Sequence, residues 1–145
     1  QIFEEIMITH KKIEELTGKN AVLFRPPFGE YSNKVIETAE KCGYKTIMWS
    51  IDSLDWKNLS AAQMVERVRK RLHPGAIILF HNAGLETPQA INELFSILKN
   101  QQYKIVPISQ LLISGPYYTD HTGKMKPKPQ LFEPEIKKDE EGVFQ

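Results

Sequence analysis

The sequence predicts an α/β domain in which helices alternate with parallel strands. Stretches with apolar residues at helical spacing alternate along the chain with short apolar runs. The runs have no alternating polar face, which is typical of strands in a parallel sheet that helices cover on both sides. Four such runs are too few to close an eight-stranded barrel. An open sheet and an incomplete barrel both satisfy the pattern.

Each predicted helix has a start signal or an end signal in the sequence. Gly18 and Gly43 are suited to end helices, because glycine readily takes the left-handed conformation of a C-terminal cap. Serine and threonine side chains cap the first turn of a helix. On these signals the helices begin at Gln1, Ser32, Ser60 and Thr87. The strands are the four apolar runs, residues 21–24, 46–51, 76–80 and 104–106.

Composition and charge exclude several kinds of partner. Of the 145 residues, 41% are hydrophobic and 26% are charged, which is enough apolar material for one core. The 19 basic and 18 acidic residues give a net charge of +1, so we expect no nucleic acid as a partner. Cys42 is the single cysteine and allows no internal disulfide. Residues 75–80, the longest apolar run, are far shorter than a membrane span of roughly 20 residues.

The chain divides into a folded part and a tail. Beyond Ser114 the sequence is rich in prolines and charges, and residues 133–141 have no apolar periodicity. We predict one domain over residues 1–114 and a C-terminal tail or latch over residues 115–145. The chain opens at Gln1, without an initiator methionine and inside a predicted helix. We therefore expect a missing upstream segment.

Three polar residues stand directly after predicted strands: Arg25, Asp52 and His81. In parallel α/β architectures the carboxyl ends of the strands meet at the active site. Each residue also has an ordinary structural interpretation, as a surface ion pair for Arg25, a turn cap for Asp52 and a boundary histidine for His81. Their joint placement favours a functional site.

The segments around these residues resemble the motifs of a known family. Arg25-Pro26-Pro27-Phe28-Gly29, Asp52-Ser53-Leu54-Asp55-Trp56 and Leu79-Phe80-His81 are similar to the third, fourth and fifth motifs of the polysaccharide deacetylases. This family is also called the NodB-homology domain or carbohydrate esterase family four. The similarity runs from about Gln1 to Leu112. The family's first two motifs, an Asp-Asp pair and His-x-x-x-His, do not occur in this sequence.

The resemblance implies that the chain is a C-terminal portion of such an enzyme. Its fold would be part of a distorted or incomplete (β/α) barrel, with the N-terminal strands missing. The implied cofactor is a divalent metal, zinc by expectation, with its ligands upstream and none within this chain. The implied partners are an N-acetylated polysaccharide substrate and the missing N-terminal segment of the same protein.

The resemblance also implies roles for the motif residues. Expulsion of an amine from an N-acetyl group requires a general acid, and His81 matches the family's acid. Asp52 is expected to orient His81, and Arg25 to hold a catalytic base carboxylate that lies upstream. The backbone amide of Phe28 is expected to help stabilise the oxyanion.

Apolar residues of the motifs are candidates for substrate binding. Trp56 and Leu79 match positions that line the pocket for the acetyl methyl group, and ordinary core packing is their alternative. Tyr31 is expected at the rim of the site. Asp55 is left open between a substrate contact and a turn cap.

The predicted function is metal-dependent hydrolysis of N-acetyl groups on an amino-sugar polysaccharide, with peptidoglycan ahead of chitin-like oligomers. The parent protein is expected outside the cell or at the cell wall, and the isolated portion need not be active. One alternative is a non-catalytic carbohydrate-binding module that keeps the groove without the metal site. A weaker alternative is an α/β domain with another hydrolytic role.

Overall fold

The structure is a computed structural model of the 145-residue chain and describes residues 1–120 and 122–129. The chain forms two compact units, of which the first is Gln1–Lys104 and the second begins at Ile105. The boundary at residue 114 stays a prediction, and residues 133–141 of the predicted tail lie outside the described ranges. Within those ranges, no helix has the length and apolar character needed to cross a membrane.

The four helices of the first unit lie close to their predicted positions. They are α1 (Ile2–Thr17), α2 (Asn33–Lys41), α3 (Ala61–Arg69) and α4 (Thr87–Asn100). Gly18 ends α1 in the left-handed conformation, with a φ of 66°. The Ser32 hydroxyl accepts a hydrogen bond from the Val35 amide, and Ser60 forms a capping box with Gln63. These predictions of helix ends are confirmed.

The helix cap predicted at Thr87 is wrong. Glu86 occupies the N-cap position of α4 without a capping hydrogen bond from its side chain, and Thr87 is the first residue of the helix. The Thr87 side chain is buried, and its hydroxyl donates to Oδ2 of Asp55 at 2.9 Å. This charge-assisted hydrogen bond directs the Thr87 side chain toward Asp55 rather than toward the amides of the first helical turn.

Short parallel strands lie at the centre of the first unit. They are β1 (Leu23–Phe24), β2 (Lys45–Thr46), β3 (Ile51–Asp52) and β4 (Ile78–Leu79). β1 pairs with β2, and β3 pairs with β4, in both cases in parallel as predicted. β2 and β3 replace the single strand predicted over residues 46–51. Residues 45–52 therefore pair with β1 through β2 and with β4 through β3.

The strand predicted over residues 104–106 is wrong. These residues belong to no helix or strand. The Tyr103 amide donates to the Leu98 carbonyl, so the chain turns at the end of α4, and Ile105 is 59% exposed. A short apolar run forms a strand only where a neighbouring strand supplies hydrogen-bond partners.

Two hydrophobic clusters hold the first unit together. The larger joins β3, α3 and α4, and consists of Ile51, Ala61, Met64, Val65, Val68, Ala90 and Leu94. The smaller joins α1 and α2 to the chain before β2, and consists of Ile6, Ala39 and Tyr44. Because the larger cluster fixes α4 against β3, Thr87 at the start of α4 and Asp55 in the turn after β3 are built on rigid elements.

The second unit contains a β-hairpin that composition did not predict. Its elements are α5 (Ile108–Leu111) and the antiparallel strands β5 (Tyr117–Thr119) and β6 (Met125–Pro127). Asp120 shapes the turn, since its carboxylate accepts hydrogen bonds from Thr122 and Lys124 and lies 3.0 Å from Nζ of Lys126. The hydrogen bonds from Thr122 and Lys126 hold the pKa of Asp120 well below its usual range. A latch role for this segment stays a prediction.

Candidate active site

Asp55 and His81 form the centre of the candidate site. β3 ends at Asp52, the chain turns through Leu54 in the left-handed conformation with a φ of 57°, and a short 3-10 turn begins at Asp55. The Asp55 side chain is 0% exposed, and its Oδ1 lies 2.7 Å from Nδ1 of His81. His81 stands two residues after the end of β4 and keeps 37% of its side chain exposed.

The second carboxylate oxygen of Asp55 is also fully engaged. Oδ2 accepts a hydrogen bond from the backbone amide of His81 at 2.6 Å and one from the Thr87 hydroxyl at 2.9 Å. Burial disfavours the ionised carboxyl, but the hydrogen bonds from His81 and Thr87 outweigh burial and lower the pKa of Asp55 below its ordinary value. Asp55 is therefore a buried, ionised carboxylate held in one orientation.

The hydrogen bond to Asp55 fixes how His81 holds its protons. An ionised carboxylate only accepts, so Nδ1 of His81 is the donor. In the neutral imidazole Nε2 then carries the lone pair, and in the protonated ring Nε2 carries a hydrogen that it can donate. Nε2 makes no hydrogen bond with the described residues. The arrangement can hold a proton at Nε2 and release it.

The hydrogen bond expected from Asp52 to His81 is made by Asp55 instead. Oδ1 of Asp52 accepts from the Leu54 amide at 2.9 Å, and the Asp52 carbonyl accepts from Nε of Arg67 at 2.8 Å. Asp52 thus closes the turn after β3, and Asp55 beyond the turn meets the histidine. The segment Asp52–Trp56 contains two aspartates, and the left-handed turn at Leu54 brings the second of them, Asp55, to His81.

Sequence analysis missed two residues next to this pair, Thr87 and Gly84. The Thr87 hydroxyl bonds the Asp55 carboxylate, and a Cβ atom at Gly84 would overlap with Oγ1 of Thr87 and lie 3.3 Å from Oδ2 of Asp55. Thr87 is 32 residues from Asp55 along the chain, so no local spacing signals the contact.

The loop after β1 has a different character. Arg25 is exposed and makes no hydrogen bond or ion pair with the described residues. Phe28 is 97% exposed with a φ of 58°, and its amide has no hydrogen-bond partner in the described part of the chain. Gly29 has a φ of 74°, and a Cβ atom there would lie 2.6 Å from Cη2 of Trp49. Trp49 therefore supports a loop that presents Arg25 and Phe28 outward.

The candidate substrate residues differ in their exposure. Trp56 is 58% exposed, with the ammonium of Lys57 5.0 Å from its ring centroid, and Tyr31 is 56% exposed. Leu79 is buried in β4, and its carbonyl accepts a hydrogen bond from the Ser53 amide. Trp56 and Tyr31 are open to a ligand, whereas the Leu79 side chain is buried. Their substrate contacts stay predictions.

The described residues do not form a metal site by themselves. Within residues 1–120 and 122–129, no three His, Cys, Asp or Glu side chains come together in a group that could hold an ion. A catalytic zinc site needs three protein ligands. The described residues therefore do not supply the ligand set of such a site by themselves.

Comparison with known proteins finds the same family. A family model described as polysaccharide deacetylase matches residues 1–47. The peptidoglycan-N-acetylglucosamine deacetylase of Bacillus cereus is 37% identical over 114 residues, which are 75% of this chain and 54% of that protein. The peptidoglycan-N-acetylmuramic acid deacetylase PdaA of Bacillus subtilis is 31% identical over 116 residues, 77% of this chain and 44% of that protein.

Solved structures agree with the sequence comparisons. The crystal structure of BA3943 from Bacillus anthracis, a carbohydrate esterase family 4 pseudoenzyme, is similar to this chain with a TM-score of 0.73 and 34% identity. The similarity covers 76% of this chain and 39% of that one. The predicted resemblance is confirmed: the chain belongs to the polysaccharide deacetylase family.

The relatives are longer than this chain. It spans about half the length of the two curated relatives, 54% of one and 44% of the other. Polysaccharide deacetylases are generally metal-dependent, but the described residues of this chain do not supply the ligands.

Proposed function

We propose that this chain supplies the general acid of a metal-dependent deacetylase that removes N-acetyl groups from an amino-sugar polysaccharide. The observation that carries the proposal is the hydrogen bond between Nδ1 of His81 and the buried carboxylate of Asp55, at 2.7 Å. This bond leaves Nε2 of a partly exposed imidazole as the atom that exchanges a proton with bound substrate.

Amide hydrolysis requires such an acid, because an amine leaves only after its nitrogen is protonated. Histidine suits this task, since the ordinary pKa of an imidazole lies near neutral pH. In the proposal, His81 transfers the Nε2 proton to the amine nitrogen as the carbon–nitrogen bond breaks. Asp55 stays ionised throughout, and it stabilises the imidazolium and holds its orientation.

We infer that the other half of the reaction centre lies in a segment that precedes this chain in the whole protein. The support is that this chain matches only about half the length of the relatives and that Arg25 has no partner among the described residues. That segment would hold the divalent metal, zinc by expectation, and a base carboxylate paired with Arg25. It would also supply the further strands of a barrel that includes β1–β4. The Phe28 amide is free to donate to an oxyanion.

For the substrate we propose a peptidoglycan-like polymer of N-acetylated amino sugars. The support is that both curated relatives are named as peptidoglycan deacetylases. The exposed rings of Trp56 and Tyr31 offer apolar faces on which sugar rings can stack, and Leu79 would form the floor of the acetyl pocket. Such a substrate implies an extracellular or cell-wall location.

The second candidate is a carbohydrate-binding protein without catalysis. It is favoured by the similarity to the Bacillus anthracis pseudoenzyme, at 34% identity. In this case Trp56 and Tyr31 would bind the sugar chain, and His81 would take no part in a reaction.

Release of acetate from N-acetylglucosamine oligomers distinguishes the two candidates. The assay uses the longest natural polypeptide that contains this chain, supplied with Zn²⁺, and compares it with its His81→Asn variant. We expect the variant to lower kcat by about 10²-fold to 10⁴-fold, because the acid is lost. Bound zinc per chain should stay unchanged, because the acid is not a ligand.

His73→Asn is the matched control. Among the described residues the His73 ring bonds the Pro74 carbonyl alone, at 2.9 Å, so the control should keep full activity. Oligomer binding without acetate release would favour the binding protein. Full activity in His81→Asn would contradict the acid role.

A further inference from the structure

We propose that Thr87 is a positioning residue for the acid: it holds the Asp55 carboxylate in the one orientation that directs Oδ1 at His81, and Gly84 leaves the space that this requires. The inference rests on the proposed function, since it concerns the same site. It adds two residues that the three motifs do not contain.

The hydrogen bonds of Asp55 divide between its two oxygens. Oδ1 has one partner, Nδ1 of His81, at 2.7 Å. Oδ2 has two partners, the His81 amide at 2.6 Å and the Thr87 hydroxyl at 2.9 Å. A carboxylate with one backbone partner on Oδ2 can still rotate about its Cβ–Cγ bond, since this torsion is soft. The Thr87 hydroxyl supplies the second partner that opposes the rotation.

Thr87 is itself held in place by the fold. It is the first residue of α4, its amide donates to the Gly84 carbonyl at 3.2 Å, and its side chain is buried. Three residues further along, Ala90 is fully buried in the larger hydrophobic cluster. Because a β-branched side chain has few rotamers, the Thr87 hydroxyl meets Asp55 from a fixed direction.

Gly84 determines whether the hydroxyl can reach Asp55. Its φ is not in the left-handed region, so backbone conformation does not require glycine there. The space does, because a Cβ atom would overlap with Oγ1 of Thr87. Gly84→Ala should therefore displace the Thr87 hydroxyl although neither Thr87 nor Asp55 is itself substituted.

The test measures the protonation site of the His81 ring directly. The intact protein is prepared with isotope-labelled histidine, and nitrogen NMR reports which ring nitrogen carries the proton in the neutral form. The His81 signals are assigned by their loss in His81→Asn. The variants are Thr87→Val, Gly84→Ala and Thr87→Ser, with Thr38→Val as a control.

We expect the unaltered protein and Thr87→Ser to hold the His81 proton on Nδ1. Thr87→Val and Gly84→Ala should both give a mixture of the two ring forms, because Asp55 is no longer fixed. Thr38→Val should match the unaltered protein, since within the described part of the chain the Thr38 hydroxyl bonds the Lys34 carbonyl alone. A purely structural role for Thr87 would not change the ring form of a folded variant.

Kinetics provide the second readout where the protein is active. Thr87→Val should lower kcat about tenfold with KM unchanged, and Thr87→Ser should restore kcat, because one hydrogen bond to a charged group is lost and regained.

If the unaltered protein releases no acetate, the proposed function fails, and the NMR comparison alone decides the role of Thr87. An unchanged Nδ1 form in folded Thr87→Val or Gly84→Ala overturns the inference. If Thr87→Val does not fold, Gly84→Ala and Thr87→Ser decide it.

Discussion

The loop after β1 and the loops after β3 and β4 differ in where their polar groups find partners. At the ends of β3 and β4, Asp55 accepts three hydrogen bonds from residues of this chain. After β1, Arg25 has no partner among the described residues, and a cavity of about 370 Å³ lies beside it. The difference teaches that the described residues determine the geometry of His81 and leave that of Arg25 open. Substitution of Asp55 should therefore change the activity strongly, whereas substitution of Arg25 should leave the stability of this chain nearly unchanged.

The largest expected effect distinguishes the two aspartates near His81. Asp55→Asn places an amide NH₂ among three hydrogen-bond donors, which should favour the wrong ring form of His81 and lower kcat by roughly 10³-fold to 10⁴-fold. Asp52→Asn keeps a carbonyl oxygen for the Leu54 amide and should cost less than about tenfold. Acetate release by both variants is the measurement. Equal losses would show that His81 does not depend on Asp55 alone.

The next effect concerns the loop that carries Arg25 and Phe28. Gly29→Ala combines a left-handed φ with a side chain pressed against Trp49, whereas Gly18→Ala has the φ alone and open space. We expect Gly18→Ala to lower the free energy of unfolding by about 1 kcal/mol. Gly29→Ala should cost about 1–3 kcal/mol more, because the added methyl group overpacks the loop. Urea unfolding measures both, and equal losses would mean that Trp49 does not support the loop.

Stability at low pH tests the electrostatics of the Asp55 region. The pKa of Asp55 is lowered from its ordinary value of 3.8, so its ionised form stabilises the fold above that pH. This contribution is lost as the pH falls through the lowered value. The difference in unfolding free energy between the unaltered protein and Asp55→Asn should therefore shrink as the pH falls below about 4.

The effect of salt on the pH dependence of stability distinguishes the buried carboxylate of Asp55 from the exposed one of Glu66. The pKa of Glu66 is also lowered, by hydrogen bonds from Arg69 and Lys70, but these ion pairs are exposed. Salt should remove the pH dependence that Glu66→Gln reports and leave that of Asp55→Asn, because buried pairs are screened much less. A salt-sensitive Asp55 effect would mean that water reaches the carboxylate.

The helix caps at Ser32 and Ser60 could be predicted because a cap depends on residues three positions away. The partner of His81 could not, since it depends on how the chain turns at Leu54 after β3 ends. The contact from Thr87 to Asp55 spans 32 residues and is created by the packing of α4. Sequence patterns therefore predicted the parallel strands and made His81 a candidate residue, whereas the structure was needed to find the side chains that hold His81.

The smallest expected effect compares two arginines. Nε of Arg67 donates to the Asp52 carbonyl at 2.8 Å, so Arg67→Ala should lower the free energy of unfolding by about 1–2 kcal/mol. Arg25→Ala removes an exposed side chain with no partner among the described residues, and the change should stay within about 0.5 kcal/mol. Urea unfolding of this 145-residue chain measures both variants. A loss at Arg25 as large as that at Arg67 would show that Arg25 already has a partner within this chain, and the inference that its carboxylate lies in a preceding segment would then fail.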